Sequence, residues 1–237
     1  MNKQVTPPVM LLAGGLGTRL RSMTGGGPKV LASLAPGLPM LRYVLSYWVA
    51  RGAREFVLCL GYQAEAVEVA LSLWKEFSST VKVVVEPEPL GTGGAVLLAL
   101  STVPEEFFVI NADTVIDVSL EAVYRWHRAG DWHGTVVVSR HEPGDQVDRL
   151  EISPSGAVTS FLGRQAIAPW AYAGVCLLRR SVLADLSLTP PANLEADVLV
   201  GALRAGKRLG GLRTDRMFYD LGTPERFRSF SAGLRND

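Results

Sequence analysis

Along the chain, short and mostly apolar runs alternate with longer stretches in which apolar residues recur every three to four positions. The runs have strand length, and the recurrences have the period of helices that bury one face. The pattern predicts strands at 9–13, 56–60, 81–85 and 107–110, with helices at 40–50, 63–77, 93–100 and 120–129. Regular alternation of this kind is that of a mostly parallel sheet covered by helices, an α/β architecture. The second half is different. Strand-like runs at 135–139, 149–152, 158–162 and 172–178 follow one another with few helices between, which predicts antiparallel additions. Helical period returns at 194–204 and 224–234, and Pro190-Pro191 reads as a turn ahead of the first of these.

Composition narrows the picture. A chain of 237 residues with 48% hydrophobic and 20% charged residues can bury a sizeable core, and one domain over 1–237 is the expectation. A net charge of +1 gives no broad basic field, so neither nucleic acid nor an anionic membrane is an expected partner. Any anion site must be local. Cys59 and Cys176 lie inside apolar runs without metal or redox spacing, and read as buried free thiols in a reducing cytoplasm. The first apolar run is cut by Gly14 and Gly15, too short for a signal-peptide core, and no run reaches membrane-spanning length. His127, His133 and His141 have no ligand spacing and read as structural or surface residues. A homodimer stays open on sequence grounds.

The candidate chemistry begins behind the first strand, in LLAGGLGTRLRSMTGGGPKV. Glycines 14, 15 and 17 allow a sharp turn with backbone N–H groups near a ligand, Thr18 adds a hydroxyl, and Arg19 and Lys29 add two cations. Such loops sit at the carboxyl ends of strands, where ligands of α/β sheets bind. A dinucleotide fingerprint is incomplete, because Leu20 stands where its last glycine belongs and Leu60-Gly61-Tyr62 offers no acid for a ribose. A phosphate loop of the Gly-Lys-Ser/Thr kind is also incomplete, since Gly27-Pro28-Lys29-Val30 inserts a proline and lacks the hydroxyl.

A third signature, G-G-x-G-T-R-L followed by P-K, is complete here from Gly14 to Leu20 with Pro28 and Lys29. Four more blocks follow in order: the segment from Glu86 to Ala95, Asn111-Ala112-Asp113, Tyr172-Ala173-Gly174-Val175, and the segment from Phe218 to Pro224. With these five blocks the chain resembles the sugar-1-phosphate nucleotidylyltransferases over nearly its whole length. The resemblance implies a Rossmann-like, mixed, mostly parallel sheet flanked by helices, the nucleotide-diphospho-sugar transferase fold. Its nucleotide-binding part would cover about 1–115 and its sugar-binding part about 116–237. The short chain and Leu194-Glu195-Ala196-Asp197-Val198-Leu199 are most similar to the branch that loads heptose or mannose 1-phosphates with guanosine nucleotides. No hexapeptide repeat suggests a fused acyltransferase.

The implied partners are a nucleoside triphosphate and a sugar 1-phosphate, with Mg²⁺ as cofactor. A sugar 1-phosphate is mostly dianionic near neutral pH, its second pKa being about 6, so it attacks without a general base. Alignment and charge neutralisation are what remain for the protein. The resemblance makes Arg19, Lys29 and Asp113 catalytic and Asp113 and Asp220 metal ligands. Leu12, Ala13, Gly14, Gly15, Gly17, Thr18, Arg19, Glu86, Gly91, Thr92 and Asn111 would bind nucleotide. Asn111, Arg164, Tyr172, Gly174, Glu195 and Asp197 would bind the sugar. Glu86 offers a carboxylate to guanine N1–H and the exocyclic amine, which favours GTP over UTP or dTTP. Asp220 also reads as a turn acid paired with an arginine, and Glu195 and Asp197 as first-turn helix acids. Ser119 is the better cap for the helix at 120.

Departures bear on the sugar. Arg164 stands near the position where relatives carry an E-K-P lysine, Tyr172 replaces an asparagine, and Trp170 is close enough in sequence to line the pocket. Ala112 replaces a glycine, adding only a methyl. A nucleotide-sugar glycosyltransferase would need a D-x-D motif, and a non-catalytic sensor would be expected to lose a phosphate cation or metal acid. Asn111-Ala112-Asp113 has one carboxylate, and both cations and both acids are present.

Overall fold

The computed structural model describes residues 6–140, 147–164 and 166–234. His141 lies outside them. Its strands are β1 (Val9–Leu12), β2 (Ser33–Ala35), β3 (Leu38–Pro39), β4 (Phe56–Leu60), β5 (Val81–Val85), β6 (Glu106–Asn111) and β7 (Thr114–Ile116). The second half adds β8 (Gly134–Ser139), β9 (Arg149–Ile152), β10 (Val158–Gly163), β11 (Trp170–Arg179), β12 (Leu209–Thr214) and β13 (Phe218–Asp220).

Nine strands form one sheet in the order β10-β9-β11-β6-β1-β4-β5, with β8 also paired to β11 and β12 to β8. Strands β5, β4, β1 and β6 run parallel, the expected first half. Strand β11 then pairs antiparallel with β6, and the second half builds outward from it. The long β11 serves three neighbours because its pairing to β8 shifts register between Tyr172 and Cys176. Gly174 lies within that shift at φ 68°, a left-handed conformation open to glycine and awkward for side chains.

The central strands are buried on both faces, which explains their unbroken apolar runs. Val9, Leu11, Phe56, Leu58, Phe108 and Ile110 enter one core with the helix Met40–Ala50. Met10, Val57, Cys59, Phe107 and Val109 enter the other with the helix Gly91–Ala99. Cys59 and Cys176 are buried free thiols, and burial pushes both up to about 12. Ser119 caps Leu120–Ala129 by accepting the Ala122 N–H.

Several bounds differ from the periodicity. The helix expected at 63–77 is Ala64–Leu73 followed by one tight turn, Lys75–Phe77. The stretch at 194–204 begins with wide π-type turns, Leu194–Leu199, before Val200–Arg204 becomes α-helical. The pattern does not announce β12, because Gly210 and Gly211 interrupt it. Those glycines sit where a Cβ would collide with Trp126 and Ile152 respectively. The β2–β3 hairpin and the ribbon of β7 and β13 are too short to carry a period. Among the described residues, no helix is long and apolar enough to cross a membrane.

Candidate functional site

The loops after β1, β4 and β6 meet at one edge of the sheet. The turn behind β1 folds directly onto Lys29: Gly17 has φ 60°, and a Cβ there would lie 2.6 Å from the Lys29 Cβ. Thr18–Leu20 is a tight turn anchored by the buried Leu20, which leaves Arg19 exposed. Among the described residues Arg19 makes no side-chain hydrogen bond or ion pair. Gly14 faces Glu86, whose Oε1 would collide with a Cβ added there.

Two adjoining cavities open at this edge. The larger, about 590 Å³, is lined by Leu12, Ala13, Gly14, Gly15, Glu86, Gly91 and Thr92, among others. The smaller, about 320 Å³, is lined by Gly17, Thr18, Arg19, Asp148, Tyr172, Gly174 and Asp220, among others. Gly15, Lys29, Asn111, Asp113, Arg164 and Glu195 line both, so the boundary between the cavities is where the charges collect.

The acids at that boundary are brought together by the ribbon. Strand β13 pairs with β7 so that Asp220 stands opposite Thr114, next to Asp113. The Leu221 N–H donates to the Asp113 carbonyl at 2.7 Å, and the Gly222 N–H donates to Asp220 Oδ1 at 2.7 Å. Lys29 Nζ is ion-paired with Asp113, and Arg226 Nη1 donates to Asp220 Oδ2 at 2.8 Å. Asp220 thus has the arginine partner of one sequence reading, and it also lies beside Asp113. A Cβ on Gly222 would lie 2.7 Å from Asp220 Oδ1, 3.2 Å from Asp113 Oδ2 and 3.2 Å from Lys29 Nζ. Only a glycine leaves that cradle open. Two hard carboxylates facing one space, with room for phosphate oxygens and water, fit the donor set of Mg²⁺. Among the described residues no cluster of three or more His, Cys, Asp or Glu offers an all-protein cage.

The opposite wall comes from the segment after Pro191. Gly93 N–H donates to the Ala192 carbonyl and Leu194 N–H donates to Thr92 Oγ1, both at 2.8 Å, which ties this wall to the Gly91–Ala99 helix. Asn193 caps the turn through Ala196 N–H. Glu195 follows, and burial raises its pKa, with the Asp148 charge adding to the effect. Burial also raises Glu86, although the Leu90 N–H donated to its Oε2 at 2.9 Å opposes this. Arg164 Nε donates to Asp148 Oδ2 at 3.4 Å. Tyr172 is almost fully buried with its hydroxyl beside the Cys176 thiol, so it forms floor.

Three expectations need correction or addition. Asp197 lines neither cavity: it is exposed and its Oδ2 accepts the Asn193 N–H at 2.6 Å, the helix-end role. Trp170 lines neither cavity, standing instead near the Arg140 and Arg213 guanidinium groups at 5.6 Å each. Asp148 was missed, since it precedes β9 without a motif of its own, and only the partner on β11 reveals its position. The remaining candidates all line one cavity or the other.

A chain with this sheet and this charged double cleft belongs to the nucleotidyl transferase family, whose profile matches residues 8–236. It is 30% identical to the mannose-1-phosphate guanylyltransferase catalytic subunit beta of Drosophila pseudoobscura pseudoobscura, over 92% of this chain and 60% of that protein. It is also 30% identical to mannose-1-phosphate guanylyltransferase 1 of Arabidopsis thaliana, over 95% of this chain and 63% of that protein. The chain thus spans about three-fifths of these curated relatives. The solved structure of HddC from Yersinia pseudotuberculosis complexed with GMP-PN superposes with a TM-score of 0.82 at 26% identity, covering 96% of this chain and 99% of that one.

Proposed function

We propose that the chain is a sugar-1-phosphate nucleotidylyltransferase that uses GTP and a mannose- or heptose-type sugar 1-phosphate, releasing pyrophosphate and an NDP-sugar. The observation that carries this reading is the convergence of Lys29, Asp113 and Asp220 around Gly222, in the smaller of two cavities that share Lys29 and Asp113. The larger cavity takes the nucleoside and the smaller the sugar, within one catalytic unit over 1–237. The nucleotide part is about 1–115 and the sugar part about 116–237, with Glu195 closing the larger cavity from the sugar side.

In the transfer, an oxygen of the sugar phosphate forms a bond to the α-phosphorus as the bond from that phosphorus to the bridging oxygen breaks. The electron pair leaves with pyrophosphate. No proton has to move, so no histidine is required. Arg19, held outward by the Leu20 anchor, faces the departing phosphates, while Lys29 neutralises charge at the reacting centre. Asp113 and Asp220 would hold Mg²⁺, which supplies Lewis-acid stabilisation of the triphosphate. The backbone of Gly14, Gly15 and Gly17 follows the phosphates, and Glu86 reads the base edge. Arg164, just after β10, and Glu195, from the opposite wall, face the sugar 1-phosphate.

The guanosine and mannose-type choice is supported by the names of the relatives and by the GMP-PN of the HddC complex. The test is a screen of ATP, CTP, GTP, UTP and dTTP against a panel of sugar 1-phosphates with pyrophosphate release as readout. GTP with mannose or heptose 1-phosphate should be fastest. Faster release with UTP or dTTP would overturn the base assignment, and no release with any pair would overturn the reaction.

A further inference from the structure

Asp148 has no part in the transfer as described, yet it lines the smaller cavity. Its carbonyl accepts the Tyr172 N–H at 2.8 Å, so β11 fixes its backbone at the cavity wall. Its side chain is only 21% exposed, whereas that of Arg164, its partner at 3.4 Å, is 51% exposed. The contact is long and leaves the guanidinium free to turn. Glu195, from the opposite wall, feels both charges: Asp148 raises its pKa and Arg164 lowers it. Within electrostatic reach of one another, this part of the wall therefore sets the carboxylates of Asp148 and Glu195 beside the Arg164 guanidinium.

That charge balance restricts the ligand. An ionised carboxylate only accepts hydrogen bonds, so the end of the ligand facing Asp148 must donate them. Hydroxyl groups do so. A carboxylate or second phosphate at that end would set like charges together in a partly desolvated space.

Resting on the transfer reading above, we propose that Asp148 is a specificity-determining residue that accepts a hydrogen bond from a sugar hydroxyl. It thereby selects neutral polyhydroxy sugar 1-phosphates over those with a second anionic group, while Arg164 turns from it toward the phosphate. The residue acts on substrate choice and not on the chemical step.

The test compares wild type, Asp148→Ala and Asp148→Asn, with GTP and mannose 1-phosphate, its monodeoxy analogues and mannuronic acid 1-phosphate. If another sugar 1-phosphate is faster in the screen, it and its deoxy series replace mannose. In wild type one deoxy analogue should lose about ten- to a hundredfold in kcat/KM, mostly through KM, as for a hydrogen bond to a charged group. Asp148→Ala should not distinguish that analogue from its parent, and Asp148→Asn should retain part of the discrimination while accepting the uronate better than wild type does. GTP affinity by calorimetry should be equal in all three proteins, which shows that the variants are folded. If Asp148→Ala keeps the wild-type ratio for every deoxy analogue, or if wild type prefers the uronate, the Asp148 proposal fails while the transfer reading stands. Absence of pyrophosphate release by wild type with every sugar would remove both.

Discussion

The two cavities are built by different means. Around the larger one, the glycines and small residues at 13–15, 61 and 91–92 stand beside Lys29, Glu86 and Asp113, mostly in loops at the ends of parallel strands. The smaller one adds side chains from the antiparallel half that the larger one lacks, Asp148 and Tyr172, to the Arg164 and Glu195 that line both. Backbone N–H groups recognise what all nucleoside triphosphates share, a chain of phosphates. Side chains recognise what differs between sugars, the positions of hydroxyls and charges. Family membership should therefore reside in the first wall and substrate choice in the second.

The sharpest way to break that contrast is at the boundary, where the acids should serve both substrates equally. Asp113→Asn should lower Mg²⁺-dependent turnover by about a thousandfold, as expected for removing fixed charge from a reacting centre, with metal-free nucleotide affinity held or raised. Asp220→Asn should act the same way. Full turnover in the presence of a chelator would contradict this assignment.

Next in size is Arg19→Ala, expected to lower kcat by about a hundredfold with little change in stability, since the side chain is exposed and makes no hydrogen bond or ion pair among the described residues. Steady-state kinetics alongside a thermal melt would check both halves of that statement. Parental turnover in a soluble variant would remove Arg19 from the phosphate site.

A smaller effect should separate the two cavities by pH. Burial raises the Glu195 pKa, so the residue should take up its proton above the ordinary carboxylate range as the solution is acidified. The protonated form loses acceptor capacity, and KM for the sugar 1-phosphate should rise several-fold as pH falls through that raised value. Glu195→Gln should show only the titration of the sugar phosphate itself. An identical pH profile in both proteins would show that Glu195 does not face the sugar.

A change in stability, with no direct effect on substrate binding, sharpens the acid experiment by measuring the fold alone. His127 is fully buried, bonded through Nδ1 to Thr135 Oγ1 at 2.8 Å, and its pKa is lowered to about 4, chiefly by burial. Between about 4 and the ordinary value near 6.5 the unfolded chain binds a proton that the native chain does not. Its contribution is complete above 6.5 and declines as pH falls toward 4, a loss on the order of 2 kcal/mol. Denaturant melts between pH 7 and 4 should show this in wild type and a flatter dependence in His127→Gln.

Much of this molecule was legible in the sequence for physical reasons that are local. A sheet buried on both faces demands continuous apolar strands, and β1, β4 and β6 show them. A glycine turn packed against Lys29 demands glycine at position 17, and the motif shows it. What the chain could not reveal by itself depends on contacts between distant segments. The meeting of Asp113 with Asp220 requires the β7–β13 ribbon, two three-residue strands with no period to read. The exclusion of Asp197 from the cavities, with Glu195 admitted, follows from which side of one wide helical turn faces the Gly91–Ala99 helix. Asp148 reaches its cavity because β11 changes partners at Gly174 and holds the start of β9 beside it. Local sequence determines which backbone conformations and which buried faces are favourable, while charges separated by a hundred residues acquire a common function only when the sheet brings them within a few ångströms.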